Sequence, residues 1–442
     1  MPSQNKTAAQ YAFEQPNNLS IRWLVCFLLF LATTINYMDR SVFSLIEPLL
    51  HLHFMGWVVG FNPTHQSVYD MNYGRVVITF QIAYGFGFLF AGRIMDKMGT
   101  RFGYALAILI WGCASVGTSL VNSVAGLCVA RAILGLGESG NFPAAVKAVT
   151  EWFAPDERAL ATGLFNSGSN AAAFVGPVLI DAATARFGWH AAFLCTGLLG
   201  LLWAILWLLF PYNRLRPRIA NAVPIAKQGR LQAAKSLPFL RDRGFYAVLA
   251  IKGLADPIFY FYLFYLPKFL HDSYDLDLGQ IRFPFIVIYT AASVGSIVGG
   301  WLSGALMKRG YSVNLGRKAA LLLCALCVVP VVLVPRMHSL FPGNAWPAIG
   351  LFCLATAAHQ GWSANVFAIC SDLFLSSRVS TVVSLGGAAG AVGGALFTWF
   401  VSRFFSAHPM IIFSTAAFAY LTALFIFQIL MPNIGRDVYP VD

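Results

Sequence analysis

The chain is dominated by apolar stretches about 20 residues long, the length that a helix needs to cross a hydrocarbon core of roughly 30 Å. Clear examples are residues 102–120, 191–210 and 411–431. Only 11% of the residues are charged, whereas a soluble domain has roughly 25%. Backbone polar groups inside lipid must be hydrogen-bonded within the structure, which leaves helices or closed barrels. The unbroken apolar runs, without alternation of period two, predict an all-α membrane protein.

Twelve apolar segments are predicted to be transmembrane helices, six on each side of a basic middle region. Spans one to six are predicted at residues 22–46, 74–95, 102–121, 124–149, 160–185 and 190–210. Spans seven to twelve are predicted at residues 244–270, 280–307, 316–335, 345–372, 379–404 and 409–432. The stretch between them contains Pro211, Pro217 and Pro224 and a basic cluster, which is typical of a linker. We therefore expect two six-helix bundles, residues 1–210 and 244–442, joined by a cytoplasmic linker at 211–243.

The net charge of +12 does not indicate a nucleic-acid partner, because the basic residues lie in loops and form no RNA-binding signature. They cluster after spans two and eight and in the linker, whereas residues 51–73 contain neither Lys nor Arg. Cytoplasmic loops of membrane proteins carry an excess of Lys and Arg. The pattern predicts an inner (plasma) membrane protein with both termini in the cytoplasm.

The sequence contains no recognisable metal or enzyme motif. Its eight cysteines are scattered through apolar segments without paired spacing, which argues against a disulfide framework or a zinc site. We find no nucleophile and base pair, no H-E-x-x-H motif and no glycine loop for a phosphate. We therefore expect neither an enzyme, nor a metal, nor a bound cofactor.

The two halves share a short sequence pattern. The segment 151–153, Glu-Trp-Phe, is followed by Arg158, and the segment 372–374, Asp-Leu-Phe, is followed by Arg378. Each pattern opens a span rich in small residues. Parallel repeats of this kind are typical of transporters.

The loop after span two contains Gly92, Asp96, Lys97, Gly99 and Arg101 in the pattern G-x-x-x-D-[RK]-x-G-x-[RK]. This pattern resembles the signature of the major facilitator superfamily. The resemblance implies that the carboxylate and the cations of this motif hold two helices together in one state of the transport cycle. An ordinary basic turn on the cytoplasmic side is the simpler alternative.

Ionisable residues lie within several predicted spans, where charges are costly and commonly face a partner or a cavity. They are Asp39 and Arg40 in span one, Arg131 and Glu138 in span four, and Asp256 in span seven. Arg131 and Glu138 are seven residues apart, which returns to nearly the same helix face about 10 Å further on. We expect Arg131 to be the partner of Glu138. A purely structural network of ion pairs is the alternative.

Uncharged polar side chains in the spans are the second group of candidates. Two amides in mid-membrane need partners, so Asn166 and Asn170 of span five are predicted to line a binding site, although small residues around them are also typical of helix packing. Span ten contains His359, interpreted as a hydrogen-bonded packing residue. Lys147, at the cytoplasmic end of span four, is interpreted as a structural residue whose side chain can extend to the membrane interface.

Five stretches carry a more specific resemblance, residues 131–153, 163–177, 254–257, 358–360 and 371–374. Through them, and over essentially its whole length, the chain resembles the anion:cation symporter family, and its hexuronate-transporter branch in particular. The resemblance implies proton-coupled uptake of a sugar acid. It also implies that Asp39, Arg40, Arg131 and Glu138 serve coupling and carboxylate binding.

The leading hypothesis is a monomeric, proton-coupled symporter for a hexuronate such as glucuronate or galacturonate, working by alternating access. Its partners would be a small organic anion, protons and the lipid bilayer, with the proton as coupling ion. Substrate would contact Arg40 and, around it, Tyr37, Tyr84, Arg131, Asn166, Asn170, Tyr260 and Gln360. Protons would bind at Asp39, Glu138 or Asp256. The alternatives are a carrier of another organic anion, such as an aldonate or an aromatic carboxylate, and a membrane sensor.

Overall fold

A computed structural model describes residues 16–46, 63–216, 242–276, 278–404 and 408–434. This part of the chain is helical and contains no β-strand. Most of the predicted linker, residues 217–241, lies outside the described residues, so the boundaries of the two predicted domains stay a prediction.

Nine of the predicted spans each consist of one continuous α-helix. Their bounds are Pro16–Leu45, Pro63–Met98, Thr100–Thr118, Trp189–Leu209, Arg243–Tyr274, Leu278–Lys308, Trp346–Leu373, Val379–Phe404 and Pro409–Leu430. The other three spans are interrupted. Span four is Val124–Glu138 and Asn141–Trp152, span five is Pro155–Asn166 and Gly168–Phe187, and span nine is Val313–Val328, the 3₁₀ helix Val329–Leu333 and Val334–Leu340. A short helix, Tyr212–Leu215, follows span six.

Within the described residues, nine candidate spans are long and apolar enough to cross a membrane. The predicted spans absent from this set are four, five and ten, which carry many of the buried polar side chains. With these three the chain has the twelve predicted spans, six in each half. The prediction of an all-α membrane protein with twelve spans is confirmed.

Small residues bring span four close to its neighbours. A Cβ on Gly135 would lie 2.7 Å from the carbonyl oxygen of Phe80 in span two, and a Cβ on Gly137 would lie 2.7 Å from the backbone nitrogen of Trp111 in span three. Glycine lets helix backbones approach closely in membranes. Gly135 and Gly137 both lie within one turn of Glu138. Their packing therefore places the Glu138 carboxyl group between spans one, two and three.

The two halves meet at the end of the bundle that carries Arg93, Lys97 and Lys308, here called the basic end. Close backbone contacts join span two to span eleven and span five to span eight. A Cβ on Gly92 would overlap the carbonyl oxygen of Ser380, and one on Gly304 of span eight would overlap that of Asp156 at the start of span five. The structure is therefore closed at the basic end.

Candidate functional site

Arg40 and Glu138 form an ion pair in the middle of the N-terminal half. The Arg40 Nε and Nη2 atoms donate to Glu138 Oε2 at 3.1 and 3.0 Å. The Glu138 side chain is fully buried, whereas that of Arg40 is 28% exposed. Charge-assisted hydrogen bonds of this kind are about twice as strong as neutral ones. The pair neutralises a carboxylate that would be strongly disfavoured in the membrane as an isolated ion.

Three aromatic rings surround the Arg40 guanidinium. Its Cζ atom lies 4.5 Å from the ring centre of Tyr84, 4.8 Å from that of Tyr37 and 5.4 Å from that of Phe80. An arginine over an aromatic face gains a cation–π attraction of about 0.5–2 kcal/mol, most where the site is desolvated. The rings therefore fix the position of the guanidinium while leaving part of it accessible to a ligand.

The expected pairing of Arg131 with Glu138 is wrong, because Glu138 is paired with Arg40. Arg131 is buried, and its Cζ atom lies 4.5 Å from the ring centre of Phe43 and 5.4 Å from that of Phe193. Two turns along a helix keep two residues on one face but separate them by about 10 Å. Span one, which crosses span four, brings a nearer cation to Glu138.

Asp39 faces a different set of helices from its neighbour Arg40. Its Oδ1 atom accepts a hydrogen bond of 2.7 Å from Ser115 of span three, and Ser115 also lies 3.3 Å from the hydroxyl of Thr196 in span six. Asp39 is 1% exposed, and its Oδ2 atom has no hydrogen-bond partner among the described residues. Asp39 and Glu138, two of the three acids predicted to take up protons, thus lie in separate hydrogen-bonded environments.

The predicted polar residues Asn166 and Gln360 meet across the two halves. Asn166 Nδ2 donates to Gln360 Oε1 at 2.7 Å and to Ser296 Oγ at 3.3 Å. Asn170 lies one turn further along span five, is 3% exposed, and has an amide nitrogen without a partner in the described part of the chain. Asn166 and Gln360 therefore form a polar contact between the two halves that separation of the halves would break.

Span seven contributes Asp256 together with a cation that sequence reasoning missed. Lys252 Nζ lies 2.8 Å from Asp256 Oδ2, and 4.6 Å from the ring centre of Phe367 in span ten. An i, i+4 pair of opposite charges inside an apolar span was the available sequence signal. Tyr260, one turn beyond Asp256, packs against span eleven, where a Cβ on Gly394 would lie 2.7 Å from the Cδ2 atom of Tyr260.

His359 has the packing role that the sequence suggested. Its Nδ1 atom lies 2.6 Å from the Tyr420 hydroxyl, and its ring stacks on Phe259 with centres 4.6 Å apart. Both contacts lie within the C-terminal half. No group of His, Cys, Asp and Glu side chains suited to a metal ion is found in the described ranges.

The motif after span two contacts span eleven through Asp96. Asp96 Oδ2 accepts hydrogen bonds from the backbone nitrogen of Thr381 at 2.9 Å and from its hydroxyl at 2.7 Å. Thr381 lies in the first turn of the helix Val379–Phe404, where unpaired N–H groups favour an anion. Asp96 Oδ1 also pairs with Lys147 at 2.8 Å. Lys147 is therefore a buried structural residue, and its side chain does not extend to the membrane interface.

Gly92 of this motif also packs against span eleven of the C-terminal half, whereas Gly99, Arg101 and Lys97 act within the N-terminal half or face outward. Gly99 has a φ of 79°, a left-handed conformation that glycine adopts at no steric cost. Arg101 donates to the carbonyl oxygen of Leu208 at 2.5 Å, and Lys97 is exposed. The carboxylate of the motif therefore joins the two halves, and its cationic partner, Lys147, comes from span four.

A second polar cluster at the basic end joins the sequence repeats of the two halves. Arg158 Nη1 donates to Asp372 Oδ1 at 3.0 Å and to the carbonyl oxygen of Ser371 at 2.9 Å. Arg317 of span nine donates to Asp372 Oδ2 at 2.9 Å and to the carbonyl oxygen of Pro155 at 2.6 Å. The sequence singled out Arg158 and Asp372 as repeat positions but gave no indication that they meet.

The model of the Major Facilitator Superfamily matches residues 29–398. The chain belongs to this superfamily. Membership agrees with the twelve spans and with the motif after span two, and it makes the chain a membrane transporter rather than an enzyme.

Relatives within the superfamily confirm the resemblance to the hexuronate branch. The chain is 30% identical over 392 residues to the hexuronate transporter of Escherichia coli K12, covering 85% of this chain and 86% of that one. It is 29% identical over 350 residues to the galacturonate transporter of Dickeya chrysanthemi, covering 76% of this chain and 96% of that one.

A solved structure of the same superfamily confirms the fold. The proton:xylose symporter XylE superposes with a TM-score of 0.73 at 13% identity, covering 94% of this chain and 97% of that one. At this identity the similarity concerns the fold alone.

Proposed function

We propose that this transporter is a proton-coupled symporter that imports a sugar acid, specifically a hexuronate such as glucuronate or galacturonate. The names of the relatives support a sugar-acid substrate, and the site supports an anionic one. In this proposal the chain is a monomer of the inner membrane, and the basic end faces the cytoplasm with both termini. The bundles at 1–210 and 244–442 then expose the site to the two sides alternately.

The observation that carries the proposal is the Arg40–Glu138 pair inside its aromatic cage. A substrate carboxylate that binds Arg40 must replace the carboxylate of Glu138. If Glu138 remained ionised it would be a buried anion without its cation, and breaking a buried pair in this way costs about 3–5 kcal/mol. Protonation of Glu138 removes that cost. Binding of substrate and uptake of a proton are therefore linked at one guanidinium.

The other site residues serve the remaining parts of the substrate in this proposal. Tyr37 and Tyr84 shape the pocket around the carboxylate, and Arg131 lies further along span four. Asn166, Asn170 and Gln360 offer amide groups to sugar hydroxyls, together with Tyr260 from the C-terminal half. Asp39 and Asp256 are the further candidates for proton binding.

Uptake into proteoliposomes tests the proposal. Labelled galacturonate should accumulate when the outside is made acidic relative to the lumen, and a protonophore should abolish accumulation. Arg40→Ala is the matched inactive variant, because it removes the carboxylate-binding cation. Equal accumulation with and without the gradient would exclude proton coupling, and tight binding without any transport would favour a sensor.

A different sugar acid is the second candidate substrate, because relatives differ in the acid that they are named for. The chain is 26% identical to the probable galactarate/D-glucarate transporter GudP of Bacillus subtilis, over 421 residues. Competition by unlabelled aldonates, aldarates and aromatic carboxylates against labelled galacturonate orders these candidates directly.

A further inference from the structure

The buried ion pair of span seven is distinct from the Arg40–Glu138 pair. The side chains of Lys252 and Asp256 are 8% and 22% exposed. Lys252 lies nine residues into the helix Arg243–Tyr274. At a rise of 1.5 Å per residue this is about 14 Å from the start of the helix, which is near the middle of the bilayer core. Ionised groups at that depth are costly and by default indicate a functional site.

The pair faces the same group of side chains as Arg40, but from the C-terminal half. The ring of Phe367, below Lys252, stacks on Phe142 with centres 5.4 Å apart, and Phe142 contacts Tyr37 edge to face at 6.4 Å. Tyr37 in turn lies beside Arg40, whose Cζ atom is 4.8 Å from the centre of the Tyr37 ring. One aromatic cluster therefore separates two ion pairs that belong to opposite halves.

Two glycines of span eleven hold the pair in place. A Cβ on Gly390 would overlap Asp256 Oδ2, and a Cβ on Gly386 would lie 3.0 Å from the Cδ atom of Lys252. Any larger residue at these positions would displace the two charged side chains. The helix packing thus accommodates Lys252 and Asp256 together as a neutral unit.

We propose that Lys252 and Asp256 form the subsite for the end of the sugar acid opposite its Arg40-bound carboxylate, and that Asp256 makes this subsite select an uncharged end over a second carboxylate. The inference rests on the proposed sugar-acid transport. A hydroxyl or carbonyl group can hydrogen-bond to either member of the neutral pair. A second carboxylate meets a lysine that is already neutralised and an aspartate of like charge, which is discrimination by repulsion.

The test compares two ligands that differ in charge at this end. Galacturonate and galactarate have the same configuration at C2 to C5, but galactarate is open-chain and has a second carboxylate at the carbon that forms the ring hemiacetal of galacturonate, so the change of their affinity ratio on mutation is the quantity that tests the subsite. We expect the purified wild-type transporter to bind galacturonate more tightly. In Asp256→Asn, which leaves Lys252 without its carboxylate, the ratio of the two dissociation constants should shift towards galactarate by tenfold or more. Adding Lys252→Gln to that variant should abolish the shift.

Each outcome is informative. If wild type binds galacturonate and the ratio moves less than twofold in Asp256→Asn, the subsite is refuted while the proposed function stands. A shift that survives Lys252→Gln also refutes it. Loss of gradient-driven galacturonate accumulation in Asp256→Asn, with an unchanged ratio, assigns Asp256 to proton coupling instead. Failure of wild type to bind any sugar acid overturns both proposals. Asp256→Ser, a smaller replacement beside Gly390, provides a second folded variant with the same expected shift.

Discussion

Replacing Arg158 should open the basic end of the transporter. In the closed state Arg158 donates two hydrogen bonds to the other half, to Asp372 at 3.0 Å and to the carbonyl oxygen of Ser371 at 2.9 Å. Its side chain is 10% exposed and that of Asp372 is 4% exposed, so water screens this contact little. Separation of the halves breaks both bonds, and Arg158→Ala removes them from the closed state only.

The size of the effect follows from the number and type of these bonds. A hydrogen bond that involves a charged group contributes about 1.5–3 kcal/mol, so two of them favour the closed state by about 3 kcal/mol at the lower limit. That is about a hundredfold in the equilibrium between states, since 1.4 kcal/mol is tenfold. Asp372 keeps Arg317 as its partner at 2.9 Å, so the variant leaves no isolated buried charge and should remain folded.

Distance measurements between probes on the two halves check this prediction. Met98 and Arg309 are exposed at the basic end and belong to opposite halves. Non-natural amino acids at these positions carry the labels, because the chain already has eight cysteines. The fraction of molecules with a short distance between the two labels should fall steeply in Arg158→Ala. It should stay unchanged in Arg93→Ala, the control at an exposed arginine of the same end. A closed population that changes less than threefold would refute the reasoning.

Three further changes have distinct expected results. Glu138→Gln should retain counterflow of substrate but lose accumulation against a gradient, because Gln keeps the shape and cannot titrate; accumulation that survives here and disappears in Asp39→Asn would place the proton at Asp39. Arg40→Ala should weaken substrate binding at least a hundredfold in calorimetry, since about 3 kcal/mol is a typical loss when a buried charged group loses its partner; affinity within twofold of wild type would remove Arg40 from the site. Gly92→Ala should destabilise the closed state, because the new Cβ overlaps the Ser380 carbonyl oxygen. Chemical labelling of residues at the basic end should then increase. Gly85→Ala, whose Cβ has open space around it, should leave that labelling unchanged.

The sequence by itself determined the fold, because the constraint that sets it is local. Each apolar run must satisfy its own backbone hydrogen bonds in lipid, so length and hydropathy define the spans without knowledge of their neighbours. The same argument identified Asp39, Arg40, Glu138 and Asp256 as candidate site residues, because a charged residue within an apolar run can be recognised from the sequence alone.

Only the tertiary structure decided which charges are partners. Arg131 shares a helix face with Glu138, but helix crossing brings Arg40 closer. Lys147 could have reached the interface, yet Asp96 holds it inside the bundle. Arg158 and Asp372 meet although 214 positions separate them. Coulomb energy depends on the distance between charges in space, and residues on different helices are brought together by packing that no spacing along the chain records.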